Sequence, residues 1–319
     1  MGRVNTLNAS FPRLVFLVLA VLSMLALDAA ARAEGTVSSP RHAARRAPAG
    51  GELVCPAKVG IGEPFVVRVR LPWRAREASV RFLGRSAPLE LRAAGGGVEA
   101  CAVLGADVLD ARPGWKTVTV RAVPASGGST RTFARRVELA FVSRPVERLS
   151  LDPAMVTPPR EEVPRIAAER ALSRQALART GTKRLWSLPL ARPLDTEVSS
   201  LYGVGRVLNG QPRSPHRGLD LEASVGDPVR AADHGVVALA GDFYYPGQCV
   251  YLDHGQGLVT MYFHLSERLV QMGQRVERGQ VLGLAGESGR STRAHLHFGV
   301  AALGRLVDPE PLFLYDGRQ

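Results

Sequence analysis

Between His216 and Val300 the chain carries three short segments whose side chains must divide between two very different environments. They are His216-Arg217-Gly218-Leu219-Asp220, Tyr262-Phe263-His264-Leu265 and His295-Leu296-His297-Phe298. In a strand, successive side chains point to opposite faces. Under that rule His216, Gly218 and Asp220 share one face, with Leu219 and Leu221 on the other. Thr260, Tyr262 and His264 oppose Val259, Met261, Phe263 and Leu265. His295, His297 and Gly299 oppose Leu296, Phe298 and Val300. Each strand therefore pairs an apolar face fit for a core with a face bearing imidazole or carboxylate.

Neutral imidazole nitrogen and carboxylate oxygen are zinc ligands, and a catalytic zinc site uses about three protein ligands beside one open position. Four His and one Asp are enough to hold a metal and leave two imidazoles for proton transfer. Any one of these His taken alone reads as an ordinary strand residue; the shared facing of the set does not. Spacing does not decide which member of His295/His297 is a ligand.

These motifs resemble the lysostaphin-like zinc metallopeptidases, a family that cuts peptide cross-links in bacterial peptidoglycan. The resemblance extends through Gly226-Asp227-Pro228-Val229, Asp253-His254-Gly255, Val276-Glu277-Arg278-Gly279-Gln280, Gly286-Glu287-Ser288-Gly289 and Asp308-Pro309. By position it implies His216, Asp220 and His297 as the zinc ligands. It implies His264 and His295 as the unligated catalytic pair, with His295 the base and His264 the stabiliser of the oxyanion. One departure stands out: Arg293-Ala294 occupies the place where the family has Gly-Pro. No ligand is lost there, but the loop borders the cleft and bears on substrate preference.

The rest of the chain reads as delivery and support. Arg3 and Arg13 precede an apolar run from Leu14 to Leu27, and Ala31-Arg32-Ala33 has the small-x-small form of a cleavage site. Residues 1–33 thus read as a secretory signal peptide, the apolar run being short for a membrane span. Export implies a periplasmic or secreted protein with no transmembrane segment after cleavage. An uncleaved anchor is the competing reading, and no Cys nearby supports a lipoprotein. Residues 34–51 lack any apolar period and read as a disordered basic leader.

From 52 to 145, runs of period two alternate with Gly and Pro clusters. Phe65, Val67, Val69 and Leu71 share one face, as do Val118 and Val120, and Val137, Leu139 and Phe141. The pattern predicts a β-sandwich. Asp110-Ala111-Arg112-Pro113-Gly114-Trp115 loosely resembles immunoglobulin-like modules of bacterial surface proteins. Cys55 and Cys101 fall here, and export permits a disulfide between them or two separate thiols. Residues 146–197 read as a linker containing a helix over 163–179, with Pro164 in its first turn and Ile166, Leu172, Ala176 and Leu177 as its apolar positions. Its Arg residues read as a solvated face. Residues 198–319 then form a peptidase-like domain of antiparallel strands. There His234 and His254 sit at turns and are structural, and Cys249 is a core thiol. The expected architecture is mainly β: immunoglobulin-like sandwich, linker helix, lysostaphin-like peptidase domain.

The 319-residue chain carries a net charge of +12. Removing Arg3, Arg13, Arg32 and Asp28 with the signal peptide takes away +3 − 1 = +2 and leaves +10. An exported protein this basic is drawn to acidic envelope polymers. No motif for specific nucleic-acid binding with interleaved aromatics is present. Three functions remain: a zinc endopeptidase acting on peptidoglycan peptides, a non-catalytic wall binder or activator of another hydrolase with the same fold, and a structural envelope protein with incidental His. The first retains every motif residue the chemistry needs.

Overall fold

The computed structural model describes residues 50–316; the expected signal peptide and the expected basic leader before residue 50 lie outside the described residues. The described chain is mostly β. Residues 52–140 build two sheets. One has four strands, with Pro64–Leu71 paired to Gly97–Gly105, and the other five, with Gly114–Pro124 central. Between the sheets lies one apolar core containing Phe65, Val67, Val69, Leu71, Val118, Val120, Val137 and Leu139. The alternation of these segments thus predicts which side chains face inward. Phe141 departs from it: just past the strand Arg131–Ala140, it is 76% exposed.

Cys55 and Cys101 carry free thiols. Val54 pairs with Arg68, and Arg68 pairs with Cys101, so the strand Pro64–Leu71 separates the two cysteines' strands. Two strand spacings are about 9–10 Å, beyond the reach of a disulfide. Cys101 Sγ instead takes a hydrogen bond from the Arg184 guanidinium.

A ten-stranded sheet makes up the C-terminal half. Its path runs through Val198–Ser200, Leu219–Glu222, His295–Ala302, Leu258–Arg268, Gly247–Asp253, Gly235–Phe243 and Arg275–Val276. On one side Leu221, Tyr262, Leu265, Leu296, Phe298 and Val300 pack into a continuous core. At about 25 cal/mol per Å² of apolar area removed from water, side chains of this size each contribute roughly 1.5–3 kcal/mol.

The linker is more than a spacer. Val146–Leu149 adds a parallel strand to Gly205–Leu208, the exception to antiparallel pairing in this half. The helix runs over Val163–Leu177 and buries Ile166 and Ala176, whereas Leu172 is 44% exposed. A period of 3.6 places Glu169, Arg170 and Ser173 on the same stripe as Ile166 and Ala176. Ser173 Oγ lies 3.0 Å from the Tyr251 hydroxyl, and Arg165 Nη2 donates to the Asp242 carbonyl at 3.3 Å, fixing the helix against the sheet. Beyond the helix, Trp186, Leu190 and Leu194 enter the main core. Among the described residues no helix is long and apolar enough to cross a membrane.

Candidate metal and catalytic site

Asp220 and His297 are direct partners across neighbouring antiparallel strands, and Phe263 pairs with His297 from the other side. Side chains opposite each other in a ladder share a face. The register therefore puts Asp220, His297 and Phe263 together on the face away from the main core. His216 enters from the loop before Leu219, its backbone N–H bonded to the Val204 carbonyl at 2.8 Å.

The expected facing of the middle strand is inverted from Thr260 to Phe263: Thr260 Oγ1 bonds the Tyr262 hydroxyl on the core side, and Met261 shares the cavity wall with Phe263. Tyr262 is fully buried in the main core, and Phe263 lies on the site face, stacked on the His297 ring at 5.2 Å and 11°. Strict alternation from Phe263 would send His264 into the core. It does not, because Gln248 pairs with Leu265 and Val250 with Tyr262, so two residues, Phe263 and His264, stand against Cys249 alone. The extra residue is a β-bulge, and His264 absorbs it with φ +63°, a left-handed conformation uncommon for a residue with a Cβ. The bulge returns the imidazole to the site face, 4.7 Å centroid to centroid from His295 and 6.2 Å from His297.

Three donor atoms converge. His216 Nε2 and His297 Nδ1 each lie 2.9 Å from Asp220 Oδ1 and 2.9 Å from each other. His216 and Asp220 are buried and His297 nearly so. The tautomer of His216 follows from its other nitrogen: Nδ1 is 3.0 Å from the Leu201 carbonyl, which can only accept, so Nδ1 carries the hydrogen. Nε2 then presents a lone pair to the carboxylate oxygen. A single hydrogen on His297 Nδ1 cannot satisfy all three approaches, whereas a cation among them does. The residues fit a zinc ion bound by two neutral imidazoles and one carboxylate. This His216, Asp220, His297 group is the one candidate metal cluster among the described residues.

Electrostatics keep the set in ligand form. Burial pushes the Asp220 carboxyl upward, but hydrogen bonds and charge from His216 and His297 outweigh it and hold the pKa well below the usual carboxylate range. Arg206 Nη2 donates to Asp220 Oδ2 at 2.8 Å, favouring the same ionised form. Burial brings His297 down to about 4 against the pull of Asp220, and brings His264 down to about 3, with His295 and His297 adding to the effect. Both rings are neutral near pH 7.

His264 and His295 have matching second contacts. His264 Nδ1 donates to the Ser288 carbonyl at 2.7 Å, and His295 Nδ1 to the Arg293 carbonyl at 2.8 Å. Each therefore turns a lone pair at Nε2 toward the site, His295 Nε2 lying 3.7 Å from Asp220 Oδ1. Both can accept a proton from a water between them. Neither can donate to an oxyanion until it has taken one up, so a stabilising role for His264 requires its protonated form.

The other titratable candidates lie elsewhere. His254 is completely buried, bonding the His234 carbonyl at 2.7 Å and Thr260 Oγ1 at 2.8 Å, a satisfied core residue. His234 is exposed. Cys249 is fully buried, and desolvation raises its pKa to about 12. Asp227 caps the Ser224 N–H in a turn, and Glu222 is paired with Arg293 at 2.9 Å.

A cavity of about 600 Å³ opens beside the site, with His216, His264 and His297 in its wall. None of its lining residues precedes Val156; the helix closes one side with Ile166, Glu169, Arg170, Ser173 and Leu177. Sequence reasoning missed this wall, along with Arg206, the Leu201, Ser288 and Arg293 carbonyls, and Phe263. The polar stripe Glu169, Arg170, Ser173 next to Ile166 is the one signal that could have found the wall.

The profile described as Peptidase family M23 matches residues 214–309, the segment holding all five site residues. A crystal structure from Pseudomonas aeruginosa, assigned to peptidase M23, superposes with a TM-score of 0.60 at 30% identity, over 78% of this chain and 93% of that one. Peptidoglycan DD-endopeptidase ShyA of Vibrio cholerae is 42% identical over 119 residues, 36% of this chain and 28% of ShyA. DD-carboxypeptidase/endopeptidase Mpg of Neisseria meningitidis is 39% identical over 94 residues, 30% of this chain and 22% of Mpg. The chain thus spans about a quarter of the length of these curated relatives.

Proposed function

The chain belongs to peptidase family M23, and from that premise we propose that it is an exported zinc-dependent endopeptidase hydrolysing peptide cross-links or stem peptides of bacterial peptidoglycan. The observation that carries the reading is the 2.9 Å triangle of His216 Nε2, Asp220 Oδ1 and His297 Nδ1 with two further imidazoles beside it. A ligand set alone would suit a structural metal. Two unligated rings with lone pairs turned toward that set are what hydrolysis adds.

Zinc bound by this set would acidify a bound water and polarise a carbonyl. The chain's own residues supply the rest. Asp220 stays ionised and, with Arg206, keeps its second oxygen engaged, so the carboxylate is oriented. His295 Nε2 takes a proton from water and returns it to the leaving amine. While that same proton resides on His264 Nε2, across the 4.7 Å between the two ring centroids, His264 stabilises negative charge on the carbonyl oxygen before the proton passes to the amine. Acid–base help of this kind is worth roughly 10²–10⁴-fold. The Ser288 and Arg293 carbonyls hold the two rings in the required tautomer.

Names of relatives support the substrate class: ShyA is a peptidoglycan DD-endopeptidase and Mpg a DD-carboxypeptidase/endopeptidase. The apolar run and cleavage pattern of residues 1–33 support export, and the net charge of +12 supports attraction to acidic envelope polymers. The test is incubation of the zinc-loaded protein with purified cell wall while new amine groups are measured. Amine release that stops on chelation and returns with zinc supports the reading. Tight wall binding without amine release would establish the non-catalytic alternative, a wall binder or activator.

A further inference from the structure

The cavity next to the site is strongly cationic. Arg170, Arg206, Arg213, Arg217 and Arg290 line it against one carboxylate, Glu169. Three of the five are engaged: Arg206 with Asp220 at 2.8 Å, Arg213 with the Val156 carbonyl at 3.1 Å, and Arg217 with Asp107 at 3.3 Å. Glu169 is occupied as well, its two oxygens accepting from Arg165 Nε at 2.8 Å and the Tyr244 N–H at 2.9 Å. Among the described residues the guanidiniums of Arg170 and Arg290 have no hydrogen-bond or ion-pair partner.

Arg290 is also held in place. Its guanidinium carbon sits 4.5 Å above the Tyr245 ring, and its backbone N–H donates to the Tyr245 carbonyl at 2.8 Å. Two residues earlier, Ser288 grips His264 through its carbonyl. The fork is thus half-buried, stacked and tied to the loop that orients a catalytic imidazole. Burial pulls the Arg290 pKa below its ordinary value, and the charges of Arg206, Arg213 and Arg170 push the same way. A cation placed among like charges without an acceptor is a poor solution for stability. It is a good one for receiving a planar anion, because a guanidinium pairs bidentately with a carboxylate.

We propose that Arg290 and Arg170 form a carboxylate subsite on the cavity wall, selecting peptides with a free carboxylate close to the scissile amide over neutral or amidated ones. This rests on the peptidase reading and adds the substrate feature that the site would recognise.

Two synthetic peptides, identical except for a free carboxylate or a carboxamide on the residue after the scissile bond, separate the two ideas. With the zinc-loaded full chain, kcat/KM is expected to favour the carboxylate by about 10-fold or more, mostly through KM, the scale of one charge-assisted contact. The Arg170→Gln/Arg290→Gln double variant should bring the ratio near one, and Arg290→Lys should restore only part of what Arg290→Gln loses, since lysine keeps the charge and loses the fork. Calorimetric binding of both peptides to zinc-loaded His295→Ala gives the same comparison without turnover. Preference for the carboxylate in binding with no cleavage of either peptide would sink the peptidase reading and keep the subsite. Equal binding of the two peptides, or a preference that survives in the double variant, overturns the subsite.

Discussion

Asp220 Oδ1 lies 2.9 Å from His297 Nδ1 because the two residues are register partners on adjacent strands, with His216 closing the triangle from a loop. Register is fixed by the apolar faces on the reverse side, so the proposed metal-binding triangle inherits the rigidity of the core. His216→Ala and Asp220→Ala should therefore lose zinc almost completely while the sheet stays folded. Metal content after dialysis checks this; stoichiometric zinc retained by His216→Ala would remove the proposed ligand set.

His264 and His295 sit outside that triangle, anchored by backbone carbonyls. Their alanine variants should keep close to one zinc and lose turnover by roughly 10²–10⁴-fold. Parallel zinc and rate measurements separate ligand from catalyst. An empty site in His295→Ala with a full one in His297→Ala would reverse the two roles.

Gly218 has no room for a methyl group. A Cβ there would stand 2.6 Å from the Phe298 carbonyl and 2.7 Å from the His297 ring, which is pressed from another side by Phe263. Gly218→Ala should cost about 1–3 kcal/mol by overpacking. Because the displaced ring is a proposed ligand, zinc affinity should fall as well, by about 10–100-fold, the usual effect of disturbing a ligand's support. Denaturant melts with and without chelator, alongside zinc titration, would show both losses. Unchanged zinc affinity would mean that the His297 ring can move freely.

In metal-free protein, stability should fall as pH is lowered from about 6.5 toward 3. Burial depresses His264 to about 3 and His297 to about 4, and also lowers the buried His254, all from an ordinary 6.5. Between those limits the unfolded chain binds protons that the folded one refuses, so stability is fully present above 6.5 and lost as pH falls. Asp220, depressed by its partners, acts in the same direction at the acid end. Chemical denaturation of the chelated protein from pH 8 to 4 tests it. A flat midpoint across that range would show that these rings take up protons in the fold as readily as in the unfolded chain. Saturating zinc should protect the upper part of the window, because protons and metal compete for the same nitrogens.

Legibility in the sequence followed the range of the interaction. Leu296, Phe298 and Val300 against His295 and His297 were readable because alternation is a local property of any strand. The same rule misplaced Thr260 to Phe263 relative to His264, since the bulge at Phe263/His264 adds one residue and reverses facing across it. No residue in Val259–Leu265 announces that bulge: His264 bears φ +63° without a glycine to signal it. The inward stripe of the linker helix was misjudged at Leu172 because its buried side faces a polar cavity as well as a core.

By itself the sequence determined the pool of candidate donors, the strand segments that carry them, and the two β-rich regions, because residue chemistry and periodicity of two are written residue by residue. Only the tertiary structure decided which nitrogens meet. It set His216 against the Leu201 carbonyl, His264 against Ser288, Arg206 against Asp220, and the helix against the cavity. The side-chain contacts join positions 14 to 24 residues apart, and the helix meets the sheet across 78, at Ser173 and Tyr251. They depend on strand register and on main-chain carbonyls, whose direction no side-chain pattern encodes.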